Sequence, residues 1–186
     1  MTTVFVAGSI KIKELDDPVK DRLDKIIDSD FSIIVGDADG ADVSVQKYLS
    51  SKHANRTIVF HSGAKPRNNL GDWFAQAVIS HFKAGSRQFY TAKDLEMAKV
   101  ADYGLMIWDG ESTGTLSNVI ELLKQNKKSI VYLTSSRSFV RVTDVEKFEL
   151  LIANMTNSAK STANRKIGLQ RSLEQLRDNQ VGLFDS

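Results

Sequence analysis

The chain has no cysteine, so disulfides and thiolate metal sites are excluded, and the redox state of its compartment leaves no mark. Histidine is almost as scarce. His53, His61 and His81 stand at no metal-ligand spacing, and His61, nearest a strand end, is read as structural. No apolar run approaches the ~20 residues that a membrane span requires. The opening MTTVFVAGSI lacks the basic start and long apolar stretch of a signal peptide, so a cytoplasmic, soluble protein is expected. An excess of one charge is missing too: acids and bases nearly cancel, leaving a formal net charge of +2. That balance argues against a protein that coats polyanions by general attraction, and leaves room only for a local basic patch. What remains is ample for one compact domain, since 41% of the 186 residues are hydrophobic.

Five apolar runs rich in β-branched residues stand out: TVFVAG (3–8), FSIIVG (31–36), TIVFHS (57–62), GLMIWD (104–109) and SIVYLT (129–134). Most are continuous rather than alternating, the pattern of strands buried on both faces of a parallel sheet. Helical stripes separate them, as in Val19, Leu23, Ile26 and Ile27 behind Asp17 and Pro18. Ala41, Val45, Tyr48 and Leu49 form a second stripe, and Leu116, Val119, Ile120 and Leu123 a third. The alternation predicts an α/β fold: a three-layer domain over residues 1–140 with a mainly parallel sheet of five or more strands. Residues 63–91 interrupt the rhythm, with a loop followed by an expected helix over DWFAQAVISHF (72–82). Residues 141–186 read as a C-terminal helical extension. TDVE (143–146) has the Thr-x-x-Glu form of a capping box, TNSAKSTAN (156–164) looks like a polar linker, and Leu169, Leu173 and Leu176 mark a last helix.

In such sheets ligands gather at the carboxyl ends of the strands, so the residues there are the candidate site. Gly8 and Ser9 end the first strand. GDADGAD (36–42) ends the second, with Gly36, Gly40 and the acids Asp37, Asp39 and Asp42. Helix capping explains one acid, Asp39 being placed for it, but not three together. SGAKPRNN (62–69) follows the third strand, where Arg67 could hold a phosphate and Asn68 and Asn69 a base or sugar edge. After the fourth, Asp109, Gly110, Ser112, Gly114 and Thr115 form a small-residue turn opening a helix, a ready anion site. It is neither a Walker A loop nor the dinucleotide glycine fingerprint. Trp73 and Tyr90 could stack on a base, whereas Trp108, inside a strand, is read as core.

The string from AGSI through GDADGAD to DGESTGT resembles the SLOG superfamily of Rossmann-like nucleotide-binding proteins over residues 3–134. Gly36, Ala38, Gly40, Ala41 and Asp42 match the Gly-Gly-Ala-Arg-Gly-Ala-Asp turn of its YpsA-like branch, with Asp37 and Asp39 in place of a glycine and the arginine. LEMAKVADYGLMIWDGESTGTLSN (95–118) is similar to the Lonely Guy phosphoribohydrolases, with Gly110, Gly114 and Thr115 matching their Pro-Gly-Gly-x-Gly-Thr-x-x-Glu loop. Their catalytic glutamate falls on Asn118, however, and their arginine on or beside Lys93, so that activity does not carry over. More distantly, the GSI start is similar to the nucleoside deoxyribosyltransferases, which implies a carboxylate near Asp109 attacking an anomeric carbon.

Two readings of the site follow. In one, a nucleotide-binding enzyme hydrolyses the N-glycosidic bond of a nucleoside monophosphate, with Asp109 working against Asp37 or Asp39. In the other, the same loops hold a nucleotide such as ADP-ribose without turnover, as a sensor or carrier. The partner in both is a small-molecule nucleotide. No cofactor is called for, although Asp37, Asp39 or Asp109 would suit Mg²⁺ bridging to a phosphate. Near-neutral charge and the acidic turn argue against nucleic acid and against DNA binding of the DNA-processing-protein kind. The resemblance implies pairing into a homodimer. A third reading concerns QVGLF (180–184), in which Gln180, Leu183 and Phe184 match the bacterial sliding-clamp-binding pentapeptide.

Overall fold

The computed structural model describes residues 1–181, which places Leu183 and Phe184 outside the described residues. Fourteen elements follow in order: β1 (Thr3–Gly8), α1 (Asp17–Asp28), β2 (Ser32–Gly36), α2 (Ala41–Ser51), β3 (Thr57–Ser62), β4 (Phe74–Val78) and α3 (Arg87–Val100). Then come β5 (Tyr103–Trp108), α4 (Thr113–Lys124), β6 (Lys128–Leu133), β7 (Ser138–Val142), α5 (Val145–Ile152), α6 (Asn157–Ile167) and α7 (Leu169–Val181). The strands form one seven-stranded sheet in the order β4-β3-β2-β1-β5-β6-β7. All neighbours pair in parallel except β6 and β7. This is the mainly parallel three-layer α/β fold expected from the apolar runs.

Both faces are covered, which is why the central strands read as unbroken apolar runs. On one face Val4, Val6, Val35, Leu105 and Ile107 pack under Val19, Leu23 and Ile26 of α1 and Val45 and Leu49 of α2. On the other, Phe5, Ile34, Met106 and Trp108 meet Met97 of α3 and Leu116, Val119 and Ile120 of α4. Trp108 is fully buried there, and its indole N–H donates to the Ser112 carbonyl at 3.0 Å. The second core continues without a break into Phe148, Leu151, Ala163, Leu169 and Leu176 of α5–α7. The expected boundary at residue 140 falls inside β7.

Three elements differ from expectation. Residues 74–78 form the edge strand β4 rather than a helix. Phe74, Val78 and Phe82 have helical spacing, but Phe74 and Phe82 stay exposed, so no buried stripe rewards a helix; pairing with β3 satisfies the backbone instead. The cap of α5 is Asp144, one residue beyond the expected Thr143, and it accepts from the Lys147 amide at 2.8 Å. The expected linker 156–164 is the start of α6, capped by Thr156 and ended by Gly168 in the left-handed conformation (φ 62°). Its buried stripe is only Ala159 and Ala163, small enough to bring α6 close to α4.

Candidate functional site

The acidic turn after β2 is a buried charge cluster. Asp37 has no exposed surface, and the Arg67 guanidinium grips it with Nη2 to Oδ1 at 2.7 Å and Nε to Oδ2 at 3.1 Å. The Arg67 amide adds a third bond at 3.1 Å. Burial pushes this carboxyl up, but the Arg67 bonds and the nearby charge of Lys93 outweigh it and hold the group below its ordinary range. Lys93 is itself buried. It bonds Asp94 at 2.8 Å and lies 4.0 Å from Asp37 and 3.9 Å from Asp42. Burial opposes its charge, yet the three aspartates raise its pKa and keep it an ammonium. Asp42 goes the other way: burial lifts its pKa to about 6 against the pull of Lys93.

The loop after β3 is bound to this cluster. Asn68 donates to the Asp37 carbonyl at 2.8 Å and to Asp39 Oδ1 at 3.1 Å. Asn69 exchanges bonds with the Trp73 backbone. Gln46, fully buried on α2, donates to the Gly36 carbonyl and accepts from the Leu70 amide, a clamp that no sequence signal marked. Arg67, expected to hold a phosphate, is therefore committed to Asp37, with its guanidinium 4.5 Å from the centre of the Tyr90 ring. Asp39 is exposed and is not a helix cap, because Gly40 occupies that position at φ 80°. A Cβ at Gly36 would run into Asp42 and Lys93, and one at Gly8 into the Ile107 carbonyl and Ala41. The close approaches at Gly8 and Gly36 are thus filled by the protein itself.

The carboxylates Asp37 and Asp109 are not brought together. β1 lies between β2 and β5, so the two strand ends are about 10 Å apart at the usual strand spacing. Asp37 points its oxygens to Arg67. Asp109 turns Oδ1 to the amides of Glu111 (3.0 Å) and Ser112 (2.7 Å), which shapes the turn into α4. Among the described residues no three His, Asp or Glu side chains are placed to hold a metal ion. Asp37, already shared by two cations, does not fit Mg²⁺.

The open part of the site lies over the start of α4. A cleft of about 410 Å³ is bounded by Ile10 and Lys11, by the turn Asp109–Gly114, and by Thr156, Ser158, Thr162 and Lys166 of the α6 region. Ser112 stands at the cap of α4 with its Oγ accepting from Thr115 Oγ1 at 3.3 Å rather than from a helix amide, and among the described residues the amides of Thr113, Gly114 and Thr115 have no acceptor. Arg87 stands beside it, donating to Thr113 Oγ1 and to the Lys166 carbonyl, each at 3.4 Å. Lys11 is paired with Glu111 at 2.8 Å. Buried Ser9 supports the floor, accepting from the Asp109 amide at 3.2 Å. Gly110, at φ 80°, lets the chain turn into the helix. Ser112 and Gly114 line the cleft, while Thr115 is buried behind them with its hydroxyl on Ser112. Lys166, Thr162 and Arg87 were missed, because only the packing of α6 brings that wall to α4.

Sheet, crossovers and strand-end cleft define a Rossmann-like α/β protein. Among solved structures the fold is similar to DNA processing protein A from Helicobacter pylori, in a study of its single-stranded DNA binding mode. The TM-score is 0.56 with 16% identity, over 88% of this chain and 79% of that one. No family model matches, and no curated protein matches by sequence. The neighbour corrects the expectation that argued against nucleic acid as a partner, since a similar fold belongs to a protein that binds a DNA strand. Of the expectation's two physical grounds, the acidic turn fails: Asp37 and Asp42 of GDADGAD are buried beside Arg67 and Lys93, leaving Asp39 as its one exposed acid. No described helix is long and apolar enough to cross a membrane.

Proposed function

We infer that the chain binds single-stranded nucleic acid, seating a backbone phosphate on the open amides at the start of α4. The observation that carries this reading is the α4–α6 cleft. The amides of Thr113 and Gly114, the positive end of a helix, Lys166 with Arg87 alongside, and several hydroxyls converge there, and all suit a phosphodiester. The similarity in fold to a protein that binds single-stranded DNA supports it. The Rossmann-like sheet and the Gly110, Gly114 and Thr115 turn keep the SLOG resemblance as the proposed ancestry.

Fluorescence anisotropy with a labelled oligothymidylate tests this. Saturable binding at low salt is expected, weakened at least about tenfold by Lys166→Glu with Arg87→Glu, on the scale of phosphate contacts. Binding that these changes leave intact, or none at low salt, overturns it.

Hydrolysis of an N-glycosidic bond is a second reading, favoured by one observation: Asp109 and Glu111 both line the same cleft. Against it, Asp109 spends Oδ1 on two amides and Glu111 is held by Lys11. Release of free base from nucleoside monophosphates, abolished by Asp109→Asn, would establish it in place of binding alone.

A further inference from the structure

At the opposite end of the sheet, away from the α4 cleft, the amino ends of β1, β5 and β6 and the carboxyl end of β7 enclose a second cavity of about 480 Å³. Its floor is apolar. Val4 and Leu105 belong to the core under α1, and Ile130 is paired with Leu105 in register. Half-exposed Tyr103 and partly buried Phe31 supply aromatic walls. Every charged residue lining it is basic: Arg22 and Lys25 come from α1, Lys128 from β6 and Arg141 from β7. No carboxylate lines the cavity, and among the described residues none of these four side chains is in an ion pair. Arg22 lies instead 5.1 Å from the centre of the Phe139 ring. Asp102, beside Tyr103 in sequence, is occupied by the Thr3 amide at 2.7 Å.

Four unpaired cations around one apolar hollow repel one another, in a chain whose other charges nearly balance. An arrangement of that kind is complementary to an anion that also carries an apolar body. We propose that this cavity binds a small organic anion of about mononucleotide size, with an aromatic or apolar body lying on Val4, Leu105 and Ile130. Its phosphate, sulfonate or carboxylate is held by Lys128, Arg141, Arg22 and Lys25. A bare inorganic anion would leave the apolar floor uncovered, and an uncharged hydrocarbon would leave the rim repulsion standing. The volume falls within the usual range for small-molecule sites. Strand length sets this cavity about 20 Å from the α4 cleft, so the two sites can be occupied independently.

Anilinonaphthalene sulfonate is a suitable probe, being an aromatic body with one anionic group, and its fluorescence and titration heat can be followed on the full native chain. One molecule per chain is expected, with affinity falling as salt rises. Lys128→Glu with Arg141→Glu should weaken it at least about tenfold; both residues are exposed, and thermal melting checks that the fold persists. Adenosine monophosphate or phenyl phosphate should displace the dye, the first indicating a nucleotide source and the second the shared chemistry alone. Lys166→Glu, at the other site, should leave dye binding unchanged. The proposal is overturned if the charge reversals at 128 and 141 leave affinity unaltered, if Lys166→Glu abolishes binding, or if neither phosphate competes. The outcome is separable from that of the DNA reading, which is read with oligothymidylate.

Discussion

Asp37 and Asp42 lie at nearly equal distances from the same buried ammonium, at 4.0 and 3.9 Å from Lys93 Nζ, and yet they titrate in opposite directions. Asp37 has Arg67 as well, and its depressed pKa adds stability that is lost as pH falls below the ordinary carboxylate range. Asp42 has only the Ala38 amide as a close donor, at 3.1 Å, and burial prevails. Its folded pKa of about 6 exceeds the unfolded 3.8, so the folded state binds the proton more tightly. Its stabilising contribution is therefore complete at acid pH and is lost as pH rises through about 6, a loss on the order of 2–3 kcal/mol by linkage. Asp42→Asn keeps the bond from Ala38 and removes the charge. Urea midpoints measured from pH 4.5 to 7.5 should fall across this window in the parent chain and change less in the variant; parallel profiles would refute the assignment. None of this was legible in GDADGAD. The string shows three acids, but which becomes an ion pair depends on Arg67 and Lys93, brought in from distant parts of the chain.

At the scale of elements, what could be read from sequence tracks how each one is buried. β1, β2, β3, β5 and β6 are covered on both faces and announced themselves as apolar runs. β4 and β7 sit at the sheet edges, half exposed, and carried no such signal. The cleft divides in the same way. Its α4 wall is a local turn, Gly110–Thr115, whose small residues and hydroxyls are visible in one short string. Its α6 wall is polar outside and joined to the core through Ala159 and Ala163, so no apolar stripe distinguished it from a linker. That seam is testable. Ala163 is completely buried, and Ala163→Leu inserts three carbons between α6 and the core it packs on. Overpacking of this kind costs about 1–3 kcal/mol, readable by chemical denaturation. It should also weaken oligothymidylate binding, because Thr162 and Lys166 ride on the displaced helix. Unchanged affinity in a destabilised but folded variant would show that α6 is not part of the binding surface.

For the whole molecule, net charge and charge placement make different predictions about a polyanionic partner. A formal charge of +2 gives little long-range attraction, so binding must come from a few phosphate contacts at a built site. In the α4 cleft those contacts number two or three: Lys166 lines it, Arg87 stands beside it on Thr113 and the Lys166 carbonyl, and Lys11 is available only at the expense of its bond to Glu111. The open amides add affinity without adding counterion release, since they carry no full charge. Each neutralised phosphate of a single strand contributes about −0.7 to the slope of log K against log salt, so the expected slope is about −1.5 to −2. Anisotropy titrations at several salt concentrations between about 50 and 200 mM measure it directly. Lys166→Glu should make the slope shallower by roughly one such contact. A slope steeper than about −5 would mean that a broad basic surface carries the binding, for which the basic rim at the amino ends of the strands is a candidate. The DNA would then lie across the opposite end of the sheet from the α4 cleft.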